Sequence, residues 1–297
     1  MCGLTGFWNR RSGEAAEAMQ RLVGRMTDTL IRRGPDDAGT WIDAETGVAL
    51  GFRRLAIVDL SPTGHQPMAS ADGRFMIVYN GEVYNYRELR AELEKLGAKF
   101  RGTSDTEVIL EGAARWGLKP TIERLIGMFA IALWDRRERT LHLVRDRLGI
   151  KPMYWARFGE LLLFGSELKA LRQHPGWTPE IDQGAASAFL RLSYVPAPHT
   201  IYRGVQKLEP GCILTLGPSG EVRIERYWSL AEIVRESRAA PLRLSDEEAT
   251  DQLEVLLKDA IGRRMVAYGP RGAARSGGVE SSTVVALMQA QSDRPVR

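Results

Sequence analysis

Cys2 is the residue of this 297-residue chain whose position, more than its type, could do chemistry. Methionine before a small residue is usually removed, so the mature chain is expected to start with a free α-amine on a thiol-bearing residue. Such a pair is self-sufficient. The thiol is the nucleophile, and an amine with an ordinary pKa of about 7.7–8 can relay its proton near neutral pH. A Met-Cys start alone is mostly accident, so four downstream segments must supply the context. Asn80-Gly81 follows the apolar run Phe75 to Tyr79. It is the strongest short hairpin signal, yet an Asn amide beside a glycine N–H is also a pair of neutral donors suited to a tetrahedral oxyanion. Locally, Arg33-Gly34-Pro35-Asp36 reads as a helix stop with a turn and Ser104-Asp105-Thr106-Glu107 as a capping box. Arg145-Asp146-Arg147-Leu148-Gly149 reads as a charged, solvated turn between strands.

The elements that must position these residues follow from hydrophobic spacing. Apolar, β-prone runs occur at Gly3 to Trp8, Val48 to Phe52, Phe75 to Tyr79, Met128 to Trp134, Leu141 to Val144, Met153 to Trp155 and Leu161 to Phe164. Helical spacing appears at Ala15 to Ile31, Tyr86 to Leu96 and Asp105 to Trp116. The strands arrive in adjacent pairs rather than alternating with helices, which predicts antiparallel sheets in a layered α+β domain. From Gly217 to Ser245 the chain turns charged and turn-rich, as at a domain exit. Ser245 and Glu248 then form a capping box opening a helix through about Val266.

Composition excludes several classes of function. With 44% hydrophobic and 26% charged residues the chain is an ordinary folded protein, and its length suits one large or two ordinary domains. The 41 basic and 37 acidic residues are interspersed, which gives nucleic-acid binding little support. No apolar run approaches the ~20 residues of a membrane span, and no leader pattern is present. Two cysteines, Cys2 and Cys212, make no disulfide framework, so a reducing cytoplasm is expected. The four histidines lack metal-ligand spacing and are read as structural; no metal site is expected in the first domain. Cys212 is read as a buried strand residue.

The stretches MCGLTGF, RRGPDDAG, FRRLAIVDLSPTGHQPM, YNGEVYNYRELR, TSDTEVIL, GMFAIALWD, RDRLGIKPMYW, SELKAL and YVPAPHTIYRGVQKLEPG cover nearly all of residues 2 to about 230. In this order behind an N-terminal cysteine they resemble the class II glutamine amidotransferases, and among them the glutamine-hydrolysing asparagine synthetases. The resemblance implies an N-terminal nucleophile hydrolase fold, an αββα sandwich of two antiparallel sheets. It implies that Cys2 attacks the side-chain amide of glutamine to form a thioester, with its own α-amine as base and then as acid toward departing ammonia. Asn80 and Gly81 match the oxyanion hole. Arg54 and Asp105 match the residues holding the substrate α-carboxylate and α-amine, Glu82 is expected to help fix the α-amine, and Arg33 to order the loop near the nucleophile. Glutamine hydrolysis needs no cofactor.

The resemblance divides the chain into a glutaminase domain over 2–230, a linker over 231–244 and the first part of an α/β ATP pyrophosphatase domain over 245–297. In the family that second domain amidates aspartate to asparagine with ATP and Mg2+. Its phosphate-cradling element matches Ser276-Gly277-Gly278-Val279-Glu280-Ser281-Ser282 here, at the start of an apolar helix Thr283 to Ala290. Glu280 stands where the family has aspartate. The segment Tyr268 to Arg275 is a poor buried strand, with one proline, two glycines and two arginines. ATP-dependent synthesis is therefore expected to be lost in so short a chain, leaving glutamine hydrolysis. The alternatives are an amidotransferase with another acceptor and a catalytically silent scaffold. Acceptors of the sugar-phosphate or phosphoribosyl kind are disfavoured by the RRLAIVDLSPTGHQPM stretch and the Ser-Gly-Gly tail. Glutamine is the expected small-molecule partner, with no nucleic acid or membrane, and a homodimer is possible.

Overall fold

A computed structural model describes residues 1–11, 13–56, 62–265, 272–273 and 276–296, in two compact units, Met1–Ser229 and Leu230–Arg297. In the first unit the strands are β1 Gly3–Asn9, β2 Asp37–Asp43, β3 Val48–Arg54, β4 Met68–Ala69, β5 Phe75–Val83, β6 Gly127–Asp135, β7 Thr140–Arg145, β8 Tyr154–Phe158, β9 Leu161–Gly165, β10 Val205–Lys207, β11 Cys212–Leu216 and β12 Val222–Arg226. Its helices are α1 Ala16–Asp28, α2 Tyr86–Lys95, α3 Asp105–Trp116, α4 Leu118–Arg124, α5 Leu168–Leu171 and α6 Gln183–Leu192. Each strand run read from the sequence lies in or overlaps one of these strands.

Two six-stranded antiparallel sheets result, ordered β10-β8-β9-β1-β3-β2 and β12-β11-β7-β6-β5-β4. They stack face to face because their central strands are apolar on both sides: one side fills the layer between the sheets, and the other is covered by helices. Leu4, Trp8, Val48, Leu50 and Phe52 of the first sheet meet Met76, Val78, Ala132 and Trp134 of the second. Trp8 and Trp134 pack edge to face across the layer with centroids 4.9 Å apart. On the outside, Met19, Val23 and Met26 of α1 cover Phe7 and Leu163, while Leu89, Leu93, Val108 and Ile109 of α2 and α3 cover Ile77 and Ile131. Each fully buried side chain of this size contributes about 1.5–3 kcal/mol.

The period of two in this layered core also delivers the chemistry. Leu4 and Trp8 point between the sheets, and Cys2 continues that series one step before β1. On β3 the series Val48, Leu50, Phe52 runs on to Arg54, and on β5 Met76 and Val78 run on to Asn80. The β1–β3 register ends at Gly3 opposite Arg53, which sets Cys2 and Arg54 opposite one another at the end of the layer.

The second unit holds α7 Leu230–Ala239, α8 Asp246–Arg264 and α9 Val279–Ala290. Ser245 and Glu248 make the reciprocal capping box at the start of α8. The charged stretch read as a domain exit carries β12, an edge strand with mostly exposed residues, and α7, which lies within the segment expected to be a linker and buries none of its side chains. Charges are what an edge strand and an uncovered helix tolerate, so composition there imitates a loop. Of the apolar stripe expected on α8, Leu253, Leu256, Leu257, Ala260 and Ile261, the first two are exposed and Ile261 is buried. The segment expected to make a poor strand lies largely outside the described residues, at 266–271 and 274–275.

Candidate active site

Cys2 sits at the mouth of the inter-sheet layer, partly buried, in a cleft of about 350 Å³. Its Sγ accepts a hydrogen bond from the Leu55 N–H at 3.3 Å, and the Leu55 carbonyl accepts from the thiol at 3.5 Å. Burial pushes the thiol above its ordinary pKa, against the pull of the Leu55 N–H, the chain's amine and Lys151. The Arg33 Nε donates to the Cys2 carbonyl at 2.8 Å while its Nη1 reaches Glu167 at 3.1 Å. Arg33 lies outside the cleft lining and holds the Cys2 backbone from behind.

Opposite Cys2, β5 presents two donors, and the strand's hydrogen-bond pattern explains why they are open. Gly81 faces Phe129 on β6, but Phe129 turns its N–H and carbonyl the other way, to Asp146. Gly81 is therefore in a non-hydrogen-bonded pair, and its N–H points to the free edge of β5. Along that edge the Tyr79 N–H donates to Gln66 Oε1 at 2.6 Å and the Val83 N–H to Asp105 Oδ2 at 2.9 Å. Between them the Gly81 N–H faces the cleft, because β4 pairs only as far as Ile77. The Asn80 Nδ2 is buried without a hydrogen-bond partner in the layer below. A buried donor without a partner costs about 1–3 kcal/mol, so it marks a place where a ligand oxygen could sit. Glycine is required at 81 by packing, since a Cβ would lie 2.3 Å from the Met128 carbonyl oxygen. The Asn80-Gly81 hairpin signal is overridden: β5 runs straight through it because β6 pairs with it to Val83.

Asp105 is the first residue of α3, after the N-cap Ser104, whose side chain accepts from the Glu107 N–H. The Glu107 carboxylate turns instead to the N–H groups of Arg101 and Gly102, so the predicted capping box is half formed. Asp105 Oδ2 also accepts from the buried Tyr79 hydroxyl at 2.7 Å. Burial raises its pKa despite these donors, and burial likewise raises that of Glu82 on β5. Arg54 lines the same cleft, its guanidinium lying against Gly64, where a Cβ would meet Nη2 at 2.1 Å. Cys2, Arg54, Asn80, Gly81, Glu82 and Asp105 thus share one cleft, with anion- and cation-binding groups on either side of a thiol.

Leu55, Gln66, Tyr79 and Lys151 also line it. They carry no signal that isolated sequence reading could use, because their contribution is set by the fold.

The segment read as a solvated turn is scaffold for this wall. Asp146 is 1% exposed, and its carboxylate accepts from the N–H groups of Phe129, Leu148, Ile150 and Lys151. Arg145 donates to the carbonyls of Gly149, Lys151 and Leu208. Replacing Asp146 with Ala strands four backbone donors, so Asp146→Ala is expected to destabilise the fold by about 3–5 kcal/mol in chemical denaturation. A loss under about 1 kcal/mol would contradict the scaffold role.

In the second unit Gly278 caps α9, after Gly277 at φ 87°. The Ser281 and Ser282 hydroxyls both donate to the Gly278 carbonyl, and Ser276 Oγ bonds Ser281 Oγ at 3.2 Å. A Cβ on Gly278 would lie 2.9 Å from Glu280 Oε2, so a carboxylate already occupies the helix N-terminus. In the free chain the hydroxyls are bonded inward and a carboxylate stands at the dipole's positive end, as the aspartate of the family's loop would.

Residues 1–228 match the family described as a glutamine amidotransferase domain, and residues 252–297 that described as asparagine synthase. A Bacillus subtilis protein named asparagine synthetase [glutamine-hydrolyzing] 3 is 37% identical over 290 residues, covering 97% of this chain and 45% of that protein. Amidase chry2 of Gibberella zeae is 33% identical over 299 residues, covering 97% of this chain and 43% of that protein. The chain spans under half the length of these curated relatives. Among solved structures, a B. subtilis glutamine phosphoribosylpyrophosphate amidotransferase complexed with ADP and GMP superposes with TM-score 0.55 at 17% identity, covering 100% of this chain and 65% of that one. That likeness is one of fold, and it agrees with the N-terminal nucleophile hydrolase sandwich expected from the sequence.

Proposed function

This chain belongs, through residues 1–228, to the glutamine amidotransferase domain family, and from that premise we propose that its cleft hydrolyses glutamine to glutamate and ammonia through a Cys2 thioester. The observation that carries the reading is the Asn80 Nδ2, buried without a hydrogen-bond partner, next to Gly81 in the cleft that the Cys2 thiol also lines.

Removal of Met1 places the α-amine on Cys2 itself. The thiol proton passes to that amine as sulfur attacks the carboxamide carbon, and the oxyanion forms against Asn80 and Gly81. Collapse breaks the C–N bond, the ammonium returns its proton to the leaving nitrogen, and ammonia departs. Water then attacks the thioester by the same route and releases glutamate. The Leu55 N–H supports the developing thiolate. Asp105, aided by Glu82, pairs with the substrate ammonium and Arg54 with its carboxylate, while Arg33 holds the Cys2 backbone. The direct test is glutamate release from glutamine by the purified chain without ATP. Absence of glutamate from protein lacking Met1 would overturn the reading.

In the whole protein we propose that the ammonia feeds an ATP-dependent amidation, with aspartate as acceptor and Mg2+ assisting. The match of residues 252–297 and the relatives' names support that assignment. Ser276, Gly277, Gly278, Ser281 and Ser282 are the residues that would hold the nucleotide's phosphates, and no step is routed through them. An acceptor other than aspartate is the second reading, supported by a relative of 33% identity that is named an amidase. We propose a cytoplasmic setting; among the described residues no helix is long and apolar enough to cross a membrane.

Asp105 gives this reading a pH signature. To hold an ammonium it must be ionised, and burial raises its pKa above the ordinary 3.8. The KM for glutamine is therefore expected to rise as pH falls through that raised value, earlier than an exposed aspartate would allow. The stability sign is opposite: the neutral acid favours the free fold below the ordinary pKa, and this contribution is lost as pH rises through the folded value. Asp105→Asn is accordingly expected to lower kcat/KM about 10- to 100-fold while leaving the free protein no less stable at neutral pH. Steady-state kinetics beside thermal melting checks both halves.

A further inference from the structure

The described charged groups around the thiol, besides the chain's amine, are Arg33 behind it, Arg54 on β3, Glu82 on β5, Asp105 on α3 and Lys151 in the turn after β7, with the Tyr79 phenol beside Asp105. Each has a place in the substrate or backbone scheme except Lys151. Its backbone is clamped at both ends, with the N–H donating to Asp146 Oδ2 at 2.9 Å and the carbonyl accepting from Arg145 Nε at 3.0 Å. The residue is 5% exposed and lines the cleft beside Cys2 and Glu82. No ion pair joins its Nζ to a described carboxylate. A buried ammonium in this setting needs a counter-charge, which a structural filler such as leucine would not.

We propose that Lys151 is a positioning residue of the glutaminase cleft, its ammonium stabilising the Cys2 thiolate and the Glu82 carboxylate across the same space. The inference rests on the glutaminase reading, but its readout does not need turnover. Burial lowers the lysine's pKa while Glu82 and the Cys2 thiolate raise it, as mutual coupling requires. The same coupling pulls the thiol down against burial.

The test is the pH dependence of Cys2 alkylation by iodoacetamide in the full chain lacking Met1, followed by mass spectrometry. Lys151→Met is expected to shift the apparent thiol pKa upward and slow alkylation at neutral pH about 3- to 10-fold, and Lys151→Arg to stay close to the parent. Lys151→Gln takes the place of the Met variant if that one does not fold. A neutral variant whose alkylation profile superimposes on the parent's overturns the proposal. So does an Arg variant that behaves like the Met variant, since shape rather than charge would then matter. Failure of the glutaminase reading is seen separately, as absence of glutamate release by the parent chain.

Discussion

Cys2→Ser is expected to abolish glutamine hydrolysis, lowering kcat about 10⁴-fold or more while glutamine still binds. Serine fits the site, since the Leu55 N–H can donate to its oxygen as it does to Sγ at 3.3 Å. Chemistry is what changes. An α-amine of ordinary basicity takes a thiol proton far more readily than that of an alcohol, whose acidity is many orders lower, and the cleft is set for the longer bonds of sulfur. Arg54, Asp105 and Glu82 are untouched, so the dissociation constant for glutamine by calorimetry should stay within about threefold of the parent. A serine chain that retained more than about a hundredth of the parent rate would place the nucleophile elsewhere.

Asn80→Ala is expected to lower kcat about 10²- to 10³-fold, the usual loss when one oxyanion donor is removed. Its effect on stability should be small, within about 1 kcal/mol, because the Nδ2 being removed is buried without a partner in the free protein. The void left by truncation and the relief of an unsatisfied donor act in opposite directions. This contrast separates a catalytic amide from a structural one: a structural asparagine would lower the melting temperature and kcat together. Rate loss without a comparable loss of stability, measured on one preparation, is the expected pattern. A thermally weakened variant with normal kcat would remove Asn80 from the oxyanion site.

The candidate residues of the cleft were legible in the sequence, but the reasons for their exposure were not. Cys2, Asn80, Gly81, Glu82, Arg54 and Asp105 could be named from residue type and resemblance, and all line one cleft. Read locally, Asn80-Gly81 is a hairpin. Only the pairing of β5 with β6, and the early end of β4, turn the same dipeptide into a strand edge with free donors. Likewise, Arg145 to Gly149 reads as solvated because three of its five residues are charged, whereas Asp146 is buried as a hub for four backbone donors contributed by β6 and its own turn. Lys151 had no pattern of its own. Its role depends on what stands across the cleft, which spacing along the chain does not encode. In the second unit the serines of the Ser-Gly-Gly loop were found by position, while the inward turn of their hydroxyls is a property of the folded helix start.

Acid quenching of the purified chain during turnover of glutamine, followed by mass analysis of its N-terminal peptide, tests the central claim most directly. The account predicts a peptide beginning at Cys2 and carrying a glutamyl group on sulfur, lost on treatment with hydroxylamine and absent from Cys2→Ser. Glutamate release from a chain whose Cys2 stays unmodified, or whose Met1 is still attached, would contradict it.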